Sequence, residues 1–211
     1  MPHVLAHPNT APPAPATGDA PVDAYFSADV ETDGPIPGEY SMLSFALVFA
    51  GTFDGVTYIR PNQMDRTFLR ELRPISRKFQ VEALQVNGLD RRRLRRSGTR
   101  PEVAMREAAQ WVTALGGNAK PVLVAYPLSF DWAWLYWYFI KFLGESPFSY
   151  SRCFDLKTAV AVKRGVPIAQ AGRDRLPDFL RSPSRHTHQA MDDAIEQAEI
   201  FANVFQWNGR G

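Results

Sequence analysis

The chain has a single cysteine, Cys153, in 211 residues. A lone thiol excludes an internal disulfide and any zinc site built on cysteines, and a buried, inert side chain is its expected state. Long apolar runs are missing as well. The densest, Trp132 to Ile140, is too short to span a membrane. Residues 1–22 contain neither the hydrophobic segment of a signal peptide nor the arginines of a transit peptide. With no sign of an oxidative framework, a cytoplasmic protein is the expectation. The same 22 residues are rich in proline and alanine and poor in large apolar side chains, so they read as a disordered tail. Nor is there an excess of one charge: 24 basic against 22 acidic residues leave a net +2. Any affinity for a polyanion must therefore come from a local patch.

What is present is an apolar content of 45%, enough for one domain, expected over residues 23–207. Its organising stretch is residues 24–35. Phe26, Ala28 and Val30 alternate with Tyr25, Ser27, Asp29 and Glu31, the period of a strand. Residues two apart on a strand point the same way, so Asp29 and Glu31 set two carboxylates side by side. Gly34-Pro35 ends the strand and leaves them at its carboxyl edge. Carboxylates this close raise one another's pKa, and a divalent cation removes the repulsion.

Downstream, residues 41–50 read as a heavily buried strand. A turn through Gly51, Asp54 and Gly55 leads to a third strand that includes 55–59. Helical spacing predicts helices over 76–86 and 101–115, the second opened by Pro101 and closed by Gly116-Gly117. The run 121–126 is a central strand, followed by helices over 130–143, 155–163 and 188–205. The aromatic run within 130–143 is read mainly as core, and next as a dimer contact. Strands followed by helix, strand and helices make an α/β or α+β domain on one mixed sheet.

Further acids lie at strand-to-helix junctions or helix starts. Asp131 follows the 121–126 strand, where an acid either caps a helix or joins a site at the sheet's carboxyl edge. Asp155 reads as a helix cap. His188 to Ala194 opens the last helix, and an imidazole titrates near neutrality, as a general base requires. On a regular helix His188 and Asp193 are roughly 140° apart. They converge only if His188 precedes the helix, and geometry alone leaves Asp192 and Asp193 both open. Finally, Arg91-Arg92-Arg93-Leu94-Arg95-Arg96 is either a solvated face or a phosphate-contacting patch of sequence-independent affinity.

Together these motifs resemble the DEDDh 3′–5′ exonucleases of the DnaQ-like group. Asp29-Val30-Glu31-Thr32-Asp33-Gly34 is similar to their first motif and Phe130-Asp131 to their second. His188-Gln189-Ala190-Met191-Asp192-Asp193-Ala194 is similar to their third, and its register favours His188 over His186 and Asp193 over Asp192. Val86-Asn87-Gly88-Leu89 is a weaker echo of the segment between the first two. The Pro183 and Arg185 context and the proline-rich stretch after the first motif depart from the pattern.

The resemblance implies a ribonuclease-H-like α/β fold, a five-stranded mixed sheet flanked by helices on both faces. It further implies hydrolysis of single-stranded nucleic acid, RNA or DNA, to nucleoside monophosphates with two Mg²⁺ ions, Mn²⁺ substituting. In that scheme Asp29 bridges the ions, Glu31 and Asp193 hold the one carrying the attacking water, and Asp131 acts on the other. His188 takes the water's proton. Backbone groups around Thr32, Asp33 and Gly34 receive the terminal 3′ hydroxyl. The alternative is an idle binding module of the same fold within a larger complex. The sequence leaves open a monomer, a homodimer, or attachment to a nucleic-acid-processing assembly.

Overall fold

The structure is a computed structural model and describes residues 22–184 and 186–209. All but the last residue of the expected tail lies outside that range. At the centre of the sheet, β1 (Asp23–Thr32) pairs antiparallel with β2 (Met42–Phe53). On its other side β1 pairs parallel with β5 (Lys120–Ala125), which carries a parallel edge strand, β6 (Cys153–Asp155). The far edge of β2 is shared. β3 (Tyr58–Ile59) takes Thr52 and Phe53, and β4 (Thr67–Glu71) takes Ser44 to Val48. Six strands thus fill five positions, which is the expected ribonuclease-H-like sheet with one edge position split between two segments.

The alternation read in β1 sorts two cores. Phe26, Ala28 and Val30 face α3 (Pro101–Gly116) and α4 (Leu128–Leu143), where Trp134, Tyr138 and Phe139 are fully buried. Tyr25 faces α5 (Leu156–Arg164) and α6 (Ala190–Gln206), against Phe201 and Val160. Burying each such large side chain is worth roughly 1.5–3 kcal/mol. Part of the aromatic run therefore goes to the core, while Trp132 and Tyr136 stack on each other at 4.8 Å. Cys153 sits on β6 and is only partly buried, not enclosed as expected. Among the described residues, no helix is long and apolar enough to cross a membrane.

Tertiary contacts override local pattern around the end of β1. The helix expected over 76–86 begins only at Val81 (α1, Val81–Asn87). The backbone N–H groups of Ile75 and Ser76 donate to Ser41 Oγ, and that of Gln80 donates to the Asp33 carbonyl. With their hydrogen bonds satisfied across the fold, these residues do not join the helix.

The arginine run forms α2 (Arg91–Ser97), capped by Asp90. Its charges do not make one patch. Arg91 is 7% exposed, its Nε donates to Asp33 Oδ2 at 2.7 Å, and its guanidinium lies over Phe79. Arg93 forms a two-pronged pair with Glu71. Arg92, Arg95 and Arg96 remain exposed. The expectation that the Arg91 side chain meets substrate is thereby corrected: it is buried on Asp33, whose side chain has no exposure and whose other oxygen accepts from Ser41 N.

Removing one partner of a buried pair strands the other's charge. Arg91→Ala is expected to cost about 3–5 kcal/mol. Arg92→Ala, on the exposed face, should stay within about 0.5 kcal/mol. Chemical denaturation of the two variants beside the parent protein checks the contrast.

Candidate metal centre

The site lies where the sheet opens. Pairing between β1 and β5 ends at Ser27 and Val124, so the last residues of β1 have β2 on one side and a crevice on the other. Asp29 and Glu31 point into that crevice. Val30 N–H, left without a strand partner on the open side, donates 3.0 Å to Asp131 Oδ1 from the first turn of α4. This bond joins residues 101 positions apart and fixes the third acid beside the first two. Asp131 is therefore not a cap for its own helix. Asp155 is: it accepts from Thr158 N and also from Leu128 N, which anchors the start of α4.

Asp193 arrives from the first turn of α6, 1% exposed. It accepts the N–H of Thr187 on one oxygen and that of His188 on the other. His188 precedes the helix with a left-handed φ of 57°, an uncommon conformation for a residue with a Cβ. This is the arrangement under which His188 and Asp193 converge. Asp192 faces outward and accepts from Thr187 Oγ1 instead. Carboxylate oxygens of Asp29, Glu31 and Asp193 lie within 4.8 Å of one another.

Gathering acids here is costly, and their proton affinities register it. Desolvation pushes Asp29 well above the carboxylate range, and the fields of Asp131, Glu31 and Asp193 push it further. Burial, then Asp193 and Asp131, raise Glu31 to about 8. Burial also raises Asp131 to about 7, against the opposing Val30 hydrogen bond. Arg173, on a 3₁₀ turn (Arg173–Arg175), supplies a counter-field at Asp29 and Asp131. The residues fit a hard divalent cation. Every donor is a carboxylate oxygen, and the crowding that protons relieve is relieved equally by positive charge.

Several residues that shape the site escape a motif reading. Gln197 Nε2 donates to Asp29 Oδ1 at 2.8 Å from one turn beyond Asp193, and that i, i+4 spacing was the available signal. Asn87 donates to the Thr32 carbonyl and sits near enough to Glu31 to oppose the rise in its proton affinity, giving the weak Val86-Asn87-Gly88-Leu89 echo a physical basis. Arg173 had no sequence signal. Its Nη1 lies 2.7 Å from His186 Nδ1, and its Nη2 donates to the Tyr126 carbonyl. His186 Nδ1 is also 3.0 Å from Asp193 Oδ2. Thr32, Asp33 and Gly34 are all buried, and Thr32 Oγ1 donates to the Gly34 carbonyl. Alongside, Phe79, Leu84, Leu89, Arg92 and Arg95 line a groove of about 490 Å³.

No protein-family model matches the chain. A curated relative, the 3′-5′ DNA exonuclease Cap18 of Escherichia coli, is 33% identical over 183 residues, covering 85% of this chain and 90% of that protein. Among solved structures, the nuclease domain of 3′hExo, a DEDDh family member, superposes with a TM-score of 0.65 at 14% identity, covering 90% of this chain and 94% of that one. Cell-death related nuclease 4 gives 0.62 at 17% identity, covering 88% of this chain and 64% of that one. An exonuclease I structure gives 0.62 at 16% identity, covering 89% of this chain and 41% of that one. The solved structures agree in fold and the curated relative in sequence across nearly its whole length: this chain belongs to the DEDDh, DnaQ-like 3′–5′ exonuclease family.

Proposed function

We propose that the chain is a two-metal exonuclease that removes nucleoside monophosphates from the 3′ end of single-stranded DNA. The convergence of Asp29, Glu31, Asp131 and Asp193 from three separate elements carries the reading. The preference for DNA rests on the likeness to a DNA exonuclease.

In this reading Asp29, Glu31 and Asp193 would hold one divalent ion, Mg²⁺ or Mn²⁺, and Asp131 with Asp29 would serve a second. When bound, such ions lower the pKa of water and stabilise the charge developing on phosphate and leaving oxygen. The rest falls to the protein. Gln197 and Val30 N–H fix the orientation of Asp29 and Asp131, so no ordering cost is left for the moment of reaction. The exposed His188 imidazole accepts the proton of the attacking water, held beside Asp193 by its own backbone N–H. Arg92 and Arg95, next to the half-exposed Phe79 ring, attract the strand's phosphates without reading its bases.

Asp131→Asn keeps an oxygen to accept the Val30 N–H but loses the charge. It should fold normally and lose activity by at least about 10²-fold, since the ions supply several kcal/mol of transition-state stabilisation. Matched 5′-labelled single-stranded DNA, RNA and duplex DNA, incubated with Mg²⁺, Mn²⁺ or chelator, test polarity and substrate together. The expected pattern is a ladder shortening from the 3′ end of the DNA strand, abolished by chelator and by Asp29→Asn. Internal cuts, or binding without turnover, would overturn it.

A pH dependence follows from the same carboxylates. Unfolded carboxylates titrate near 4, while folded Asp131 and Glu31 titrate at about 7 and about 8. Between those limits the folded, ion-free protein holds more protons than the unfolded chain. Its stability therefore falls as pH rises from about 4 to about 8 and then levels off. Added Mn²⁺ should raise the melting temperature more at pH 8 than at pH 5. The double variant Asp29→Asn/Glu31→Gln should flatten the ion-free profile in scanning calorimetry.

A further inference from the structure

The loop ahead of α6 carries His188 and leads into Asp193, and its shape is one a free chain rarely adopts. The left-handed φ of His188 persists only where surrounding contacts over-determine it. Two ties hold the loop from opposite sides. Gln189 Nε2 donates to the Asn87 carbonyl at 2.9 Å, and Asn87 in turn holds the end of β1. Arg173 takes the other side.

The backbone that presents Arg173 is itself fixed. Ala171 and Leu176, flanking its 3₁₀ turn, are buried in the core shared with α5 and α6. Tyr126 Oη donates to the Ala171 carbonyl at 2.6 Å. Arg164 Nη1 donates to the carbonyls of Gln170 and Arg175 at 3.2 and 3.0 Å. From this turn the guanidinium reaches two elements at once. Nη2 donates 3.0 Å to the Tyr126 carbonyl, just past the end of β5, and the group lies 5.4 Å from the Tyr126 ring centroid. Nη1 approaches His186 Nδ1. A guanidinium only donates, so the ring accepts at Nδ1. That nitrogen has one lone pair, and Asp193 Oδ2, 3.0 Å away, takes its hydrogen bond from the His188 backbone instead. Glu196 Oε2, 3.8 Å from Nη1, adds an ion pair from α6.

Tyr126 leads into α4 and Asp131, whereas His186 leads into His188 and Asp193. We propose that Arg173 is a positioning residue: its fork ties the loop ahead of α6 to the end of β5, and so sets His188 and Asp193 against Asp131. The role needs an arginine and not merely a cation. A lysine keeps positive charge near the acids but has no planar fork to span the Tyr126 carbonyl and His186. The effect on turnover rests on the exonuclease reading; the tie itself does not.

The test uses the full chain without added ions, with amide hydrogen exchange followed residue by residue. Arg173→Lys should speed exchange at Thr187 and His188, whose N–H groups donate to Asp193, at least about tenfold while β2 amides stay as in the parent. His186→Ala breaks the same tie from its exposed side and should do likewise. Parent-like exchange at Thr187 and His188 in either variant overturns the tie. Should Arg173→Lys lose protection throughout the sheet, His186→Ala alone decides. With 5′-labelled single-stranded DNA and Mg²⁺, kcat should fall at least about tenfold in Arg173→Lys with KM within about twofold, the pattern of lost alignment. The double variant should be no slower than the slower single, since both changes remove one contact. Parent-like kcat in Arg173→Lys, or losses that multiply in the double variant, overturns the positioning role. If the parent hydrolyses nothing while both variants free the loop, the exonuclease reading falls and the tie stands.

Discussion

Mutual repulsion among Asp29, Glu31, Asp131 and Asp193 is the constraint around which the structure is arranged. Burial raises three of the four, Asp29 well above the carboxylate range, Glu31 to about 8 and Asp131 to about 7, and neighbouring carboxylates add to the rise at Asp29 and Glu31. The fold tolerates this because each acid is restrained from outside the cluster. Gln197 holds Asp29, Asn87 holds the Thr32 carbonyl next to Glu31, Val30 N–H holds Asp131, and two backbone amides hold Asp193. A site so restrained is strained when empty and relaxed when charged, the electrostatic preorganisation that makes bound cations effective.

The sheet supplies the location. Where β5 stops pairing, β1 runs on with one edge open, and the start of α4 fills the gap with a carboxylate. The crevice at the carboxyl ends of parallel strands is a recurrent ligand site for this geometric reason. The apolar residues of β1 serve the same end indirectly. Phe26 and Tyr25, buried in opposite cores, fix the strand's rotation and hence the direction of Asp29 and Glu31.

Much of this was legible in the sequence, and what was not has physical causes. β2, α3, β5 and α4 are long and strongly patterned, so their burial shows in spacing alone. β4 and β6 are short edge segments whose strand character exists only through pairing with β2 and β5. The late start of α1 depends on Ser41 and Asp33, both remote in sequence. Asp29, Glu31 and Asp131 could be named because chemistry restricts their type, whereas His188 over His186 and Asp193 over Asp192 followed only from the resemblance of residues 188–194 to the third motif. Arg91 and Arg93 misled for the opposite reason. A charge run looks the same whether its partners are solvent, phosphate, or an Asp33 and a Glu71 brought in by folding. Arg173 and Glu196 lie in no recognisable pattern; only their approach to His186 makes them part of the site.

The order of the ligands along the chain has its own consequence. Asp29 and Glu31 are synthesised first, Asp131 after β5, and Asp193 only with α6. Since domains begin to fold while translation proceeds, a partly made polypeptide can assemble β1, β2 and β5 while the electrostatic burden is still incomplete. The last helix then brings the final acid, the histidine next to it, and the glutamine that steadies Asp29. The complete cluster therefore forms late, together with the packing of Phe201 and Ala194 that offsets the charge it introduces. A ribosome-bound intermediate lacking α6 has neither the complete acid cluster nor the second core that α6 closes.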